Sequence, residues 1–329
     1  MPSLLDPLKV GHLELRNRIV MPPMLSGKAT PEGHVTDELI QHYARRAADL
    51  GLQIVEATAV SRTSLGIRSQ VRLDTDQHIQ GLERLVNAVH KEETPIAVQL
   101  CHAGGAGRSE ICGCQPLAPS DLIVPNKGQE VPRAMTLLDI EEVVEDFVQA
   151  TRRACEAGFD AVEIHGAHGY LLNQFLSPLC NRRDDEYGES LKNRIRLSLR
   201  IMSSIRKEFG SDYPVFYRLG AEDMLQGGLT LEEGVQAATM LAEEGVDVID
   251  VSGGLVGHLN PSNDGPGFFV PQAAAVRKAV KIPVIGVGGI KTAVEADAII
   301  QSGQVDLVAV GRAMLKDPKW ASKAASALR

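Results

Sequence analysis

Eight short runs of β-branched and aliphatic residues, each followed by a longer stretch with helical spacing, constrain this chain more than any other feature. The runs are RIVM at 18–21, LQIVEA at 52–57, IAVQL at 96–100, AVEIH at 161–165, VFYRL at 215–219, VDVIDV at 246–251, PVIGV at 283–287 and DLVAV at 306–310. They are almost continuously apolar, the pattern of parallel strands covered on both faces. Strand and helix alternating along the whole of residues 1–329 predict an α/β fold, a single (β/α)8 TIM barrel in one domain. An open doubly wound sheet is the runner-up, but no GxGxxG follows the first strand. Helix starts are expected at Thr36 and at Thr230 with Glu233, and helix stops at Gly158 and Gly245. Residues 1–17 read as a short hairpin against the barrel bottom.

Composition narrows the partners. The formal charge is −8 and only 4% of residues are aromatic, so the chain lacks both the basic footprint and the stacking surface of a nucleic-acid binder. It also offers an anionic membrane nothing to attract, and no apolar run approaches the length of a membrane span. The N-terminus lacks the apolar segment of a signal peptide, and five cysteines do not resemble a secreted disulfide framework. The expectation is a cytoplasmic protein that handles a small-molecule substrate.

Two connections are too long to be simple, 102–138 after the third strand and 166–190 after the fourth. Both leave the C-terminal ends of strands, where barrel active sites are built. In the second, EIHGAHGYLLNQFLSP at 163–178 places His165 at a strand end with His168 and Tyr170 close behind. Two imidazoles three residues apart can hydrogen-bond one substrate oxygen as negative charge develops there, and a tyrosine hydroxyl can supply a proton. The plainer reading is a buried histidine beside a core tyrosine. A metal reading of the histidines lacks a further ligand at suitable spacing, and Cys101-His102 with Cys112-x-Cys114 is a poor zinc pattern.

After the seventh and eighth strands come Gly286, Gly288 and Gly289, then Gly311 and Arg312. Exposed backbone amides and an arginine fork in this part of a barrel suit a phosphate group. Gln99 and Arg218 fall inside apolar strands, so each needs either a polar ligand or an internal carboxylate partner.

The motifs NRIVMPPM at 17–24, VEATAV at 55–60, QLCHAG at 99–104, EIHGAHGYLLNQFLSP at 163–178, NRRDDEYGESLKNR at 181–194 and the final GVGGI and VGR together resemble the Old Yellow Enzyme family of FMN-dependent oxidoreductases. The resemblance implies a barrel whose bound FMN is reduced by NAD(P)H and which then reduces an activated C=C bond, as in an α,β-unsaturated carbonyl compound. By position it implies that Pro23, Met24, Ala57, Gln99 and Arg218 contact the isoalloxazine or ribityl part of FMN. Gly288, Gly289, Gly311 and Arg312 would hold the FMN phosphate, His165 and His168 would bind the substrate carbonyl, and Tyr170 would donate the proton.

The sequence departs from the family pattern at three places. Leu25 and Gly27 stand where the compact bacterial branch carries a redox-tuning Cys and a Tyr, and Glu189 replaces a glycine of the YGGS motif. The branch's C-terminal aromatic–arginine tail is not evident after Leu328-Arg329, which leaves a homo-oligomer open in form. Longer relatives continue into an iron–sulfur and nucleotide-binding region, so two further readings stand. One is a flavin-dependent dehydrogenase of an amine or saturated ring, and the other is the flavin barrel of a dienoyl-CoA-reductase-like system. A flavin-free phosphate-binding barrel and an electron-carrying subunit are the remaining alternatives.

Overall fold

The computed structural model describes residues 2–329, so Met1 of the expected N-terminal segment lies outside it. Eight parallel strands close into a barrel: β1 (Ile19–Met21), β2 (Leu52–Ala59), β3 (Ile96–Cys101), β4 (Ala161–Gly166), β5 (Val215–Gly220), β6 (Val248–Ser252), β7 (Val284–Val287) and β8 (Leu307–Ala309). Each pairs with the next in chain order and β8 closes on β1 through Val308–Ile19 and Ala309–Val20. Every apolar run read from the sequence overlaps its strand, with ends that agree to within two residues.

The main difference is β2, which runs on to Ala59 because its pairing with β3 shifts register between Val55 and Thr58. Such a bulge bends a strand and re-aims its side chains. Ala57 lies in this irregular stretch and reaches the cavity described below.

The expected helix signals act as read. Thr36 accepts from the Leu39 amide, and Thr230 and Glu233 form a reciprocal capping box. Gly158 and Gly245 stop their helices at φ 87° and 96°, a left-handed conformation that costs glycine little. Leu8–Val10 and Leu13–Leu15 make the N-terminal hairpin. Its Val10, Leu13 and Leu15 cluster with Val20, Ile54 and Phe216, so the hairpin plugs the interior from below. The larger apolar core lies outside the strands, beneath the helices. With one end plugged, polar strand residues meet a ligand only at the other. No helix among the described residues is long and apolar enough to cross a membrane.

Candidate active site at the C-terminal end of the barrel

A cavity of ≈ 990 Å³ opens at the C-terminal ends of the strands. That is at the upper end of the roughly 300–1,000 Å³ of ligand and cofactor sites. Its wall brings together Pro23, Met24, Ala57, Gln99, His165, His168, Tyr170, Arg218, Gly288, Gly289, Gly311 and Arg312, the residues singled out from the sequence. Leu25 also lines it, whereas Gly27 and Glu189 are not among the lining residues. Glu189 holds φ 61°, the left-handed backbone for which a glycine would be the ordinary choice.

The histidine cluster owes its shape to a strained turn. His165 is the penultimate residue of the wholly buried β4, and His168 and Gly169 both take left-handed backbone, at φ 59° and 70°. A non-glycine residue there costs about 1–3 kcal/mol and persists only where its surroundings fix it. Here the His168 amide donates to Gly253 O at 3.1 Å, and the Gly169 amide donates to Asn173 Oδ1 at 2.7 Å. Gln174 Nε2 then donates to Gly169 O at 2.7 Å. The turn folds His168 back, so that its ring lies edge-on to His165 at 5.1 Å, and the Tyr170 ring also lies edge-on to His165 at 5.0 Å.

Hydrogen bonding bears on where the imidazole protons lie. The Ala167 amide donates to His165 Nδ1 at 3.3 Å, which leaves the proton on Nε2. His168 Nε2 is 2.7 Å from Ser252 Oγ, and the serine hydroxyl can donate there, placing the His168 proton on Nδ1. Burial first, and then the Arg218 charge, hold both histidines well below the ordinary imidazole range. Both are therefore neutral donors at physiological pH. Burial pushes the Tyr170 hydroxyl upward, so it is protonated too.

A polar belt crosses the barrel interior just below. Strand register sets Gln99 beside Glu163, and Arg218 between His165 and Asp250. Gln99 Nε2 donates to Glu163 Oε1 at 2.8 Å, and Arg218 Nε lies 3.3 Å from Asp250 Oδ2. Each polar strand residue thus has an internal carboxylate and also faces the cavity. Burial raises the affinity of Glu163 and Asp250 for protons, and Arg218 opposes it.

At the far side, the amides of Gly288, Gly289, Gly311 and Arg312 have no protein acceptor among the described residues. A Cβ on Gly288, at φ 125°, would sit 2.5 Å from the Phe268 ring, and one on Gly289 would sit 2.7 Å from Gly265 O. Glycine is what lets this backbone lie so close to its neighbours and leave its amides open. The helix start at Thr292 contributes nothing here, since Glu295 already accepts from the Lys291 and Thr292 amides.

Lys127, Ser252 and His258 also line the cavity and were not singled out from the sequence. Lys127 carried one usable signal, its place in the long 102–138 connection. Ser252 fell just past the apolar run at 246–251 with nothing to mark it, and nothing flagged the loop that carries His258.

Fold and cavity define a class, a TIM barrel with a cofactor-sized site and an anion cradle at its C-terminal face. The model of the NADH:flavin oxidoreductase / NADH oxidase family matches residues 3–329. An NADH oxidase of Thermoanaerobacter brockii is 43% identical over 98% of this chain and 50% of its own length. An NADPH dehydrogenase of a Geobacillus strain is 40% identical over 99% of this chain and 94% of its own. The old yellow enzyme homologue of Zymomonas mobilis superposes with a TM-score of 0.88 at 31% identity, covering 100% of this chain and 94% of that one. The chain belongs to the NADH:flavin oxidoreductase / NADH oxidase family, the Old Yellow Enzymes. It spans about half the length of the first of these relatives and nearly all of the second.

The family's cofactor is FMN, with NAD(P)H as reductant. The cavity fits that group: open amides for a phosphate at one side, and polar atoms reaching the interior at the other. Among the latter, Arg218 Nε is buried with only the 3.3 Å approach of Asp250 and no hydrogen bond among the described residues.

Proposed function

We propose that residues 1–329 act as one FMN-binding barrel that uses NAD(P)H to reduce an activated C=C bond of an α,β-unsaturated carbonyl compound. The observation that carries this is the meeting of two neutral imidazoles and a protonated tyrosine at one cavity wall. FMN, when bound, supplies hydride transfer from the nicotinamide to the substrate. Gly288, Gly289, Gly311 and Arg312 would hold its phosphate, while Pro23, Met24, Ala57, Gln99 and Arg218 would line its ring and ribityl chain.

The chain's own share of the chemistry is donation. His165 Nε2–H and His168 Nδ1–H converge on the carbonyl oxygen and stabilise the charge it gains, an effect worth a few kcal/mol per donor. Tyr170 then gives its hydroxyl proton to the α-carbon. Oxidation of an amine is less well served, because Lys127, which lies against Tyr170, would repel a cationic substrate. The site needs no membrane or nucleic acid, and a cytoplasmic location and homo-oligomeric assembly belong to the same proposal.

The test is anaerobic reduction of purified protein with NADH and NADPH in turn, followed by 2-cyclohexenone. Bleaching of the flavin by either nicotinamide and its return on adding the enone are expected. Colourless protein that takes up no FMN, or reduced protein indifferent to enones, would overturn the reading.

A further inference from the structure

Lys127 occupies an unusual position for a lysine. Its Nζ lies 3.4 Å from the centre of the Tyr170 ring and donates to the His168 carbonyl oxygen, at the wall where the carbonyl-binding histidines meet. No carboxylate lies within 4.0 Å of it among the described residues. The one acid group that bears on its charge is the Cys101 thiol, and burial pushes that up to about 12, so it stays neutral. Burial brings Lys127 down to about 8, which still leaves it charged at neutral pH.

The fold holds this cation in place. Val124 is buried with Cys180 and Leu255, and the Lys127 and Gly128 amides both donate back to its carbonyl. A Cβ on Gly128 would come within 2.6 Å of the Val124 amide nitrogen, so the turn is tight. Lys127 is half-buried, the Tyr170 ring face and one carbonyl satisfy only part of its ammonium, and a partly desolvated charge without a counter-ion is costly. The phosphate of FMN already has its donors in the glycine loops, so Lys127 is left for another anion.

We propose that Lys127 pairs with a carboxylate carried by the substrate, so that the site selects activated alkenes bearing an anionic group over their neutral counterparts. This rests on the ene-reductase reading above and names the substrate class within it.

The test uses FMN-loaded protein with 4-oxopent-2-enoate and its methyl ester, which differ in charge and by one methyl group. The wild-type protein is expected to favour the acid in kcat/KM. Lys127→Met should lower the acid-to-ester ratio by about tenfold or more, the worth of one charge-assisted hydrogen bond, chiefly through KM. Lys127→Arg should restore most of the ratio. Because the readout is a ratio, a loss of folding or of Tyr170 acidity cancels from it. A wild-type ratio at or below one, or a ratio unmoved by Lys127→Met, overturns the proposal. Wild-type protein that reduces 2-cyclohexenone but shows no acid preference defeats this inference alone, whereas failure on all three substrates defeats the underlying reading as well.

Discussion

Replacing His165 and His168 with alanine, singly and together, tests the oxyanion assignment most directly. Each ring contributes one neutral N–H donor, from Nε2 in His165 and from Nδ1 in His168, with the second proton position depending on Ser252. Loss of one oxyanion donor typically costs ~10²–10³ in kcat, about 2.7–4 kcal/mol. The two donors serve one oxygen, so the double variant should fall short of the product of the single losses. Ser252→Ala supplies a graded control. It leaves both rings in place but frees the His168 proton to sit on either nitrogen, a loss on the order of one ordinary hydrogen bond, ~0.5–1.5 kcal/mol or two- to tenfold. The assay is kcat/KM for 2-cyclohexenone, with the visible flavin spectrum reporting cofactor retention. A double variant that keeps its FMN and loses less than about tenfold would refute the argument, since no pair of essential donors is so dispensable. In the wild type, neither histidine should impose a titration across neutral pH, because both already lie well below the ordinary range.

Gly288→Ala should lower the flavin-to-protein ratio after purification while leaving the far-ultraviolet circular dichroism intact. Its Cβ would strike the buried Phe268 ring and disturb the open amides, and full FMN retention would count against the phosphate cradle. Acid should destabilise the fold through His102, which burial holds at about 4 against an ordinary 6.5. As pH falls from 6.5 toward about 4, the unfolded chain takes up a proton that folded His102 refuses. Stability present above 6.5 is lost over that window, by up to roughly 3 kcal/mol for this group. His102→Asn keeps an acceptor for the Gly104 amide and removes the titration, so its Tm should depend less steeply on pH; an unchanged slope would exclude His102 as the cause.

The sequence by itself determined the barrel, because parallel strands buried on both faces must be continuously apolar and their helices must start and stop on recognisable residues. It also placed His165, His168, Tyr170 and the two glycine loops, since chemistry confined to strand ends shows as polar residues where apolar runs stop. The tertiary structure decided what depends on groups far apart in the chain. Ser252 meets His168 across 84 positions, and the proton position that follows from that bond is invisible in either residue alone. Gln99 and Arg218 could have needed a ligand or a partner, and only strand register showed that Glu163 and Asp250 stand beside them while both still reach the cavity. Lys127 is the plainest case. Its loop was long enough to attract notice, but a lysine in a polar connection reads as solvated, and only the packed turn at Val124 carries its charge onto the face of Tyr170. Periodicity is set by each residue's own solvation, whereas a site is set by pairs and triples of groups brought together by packing.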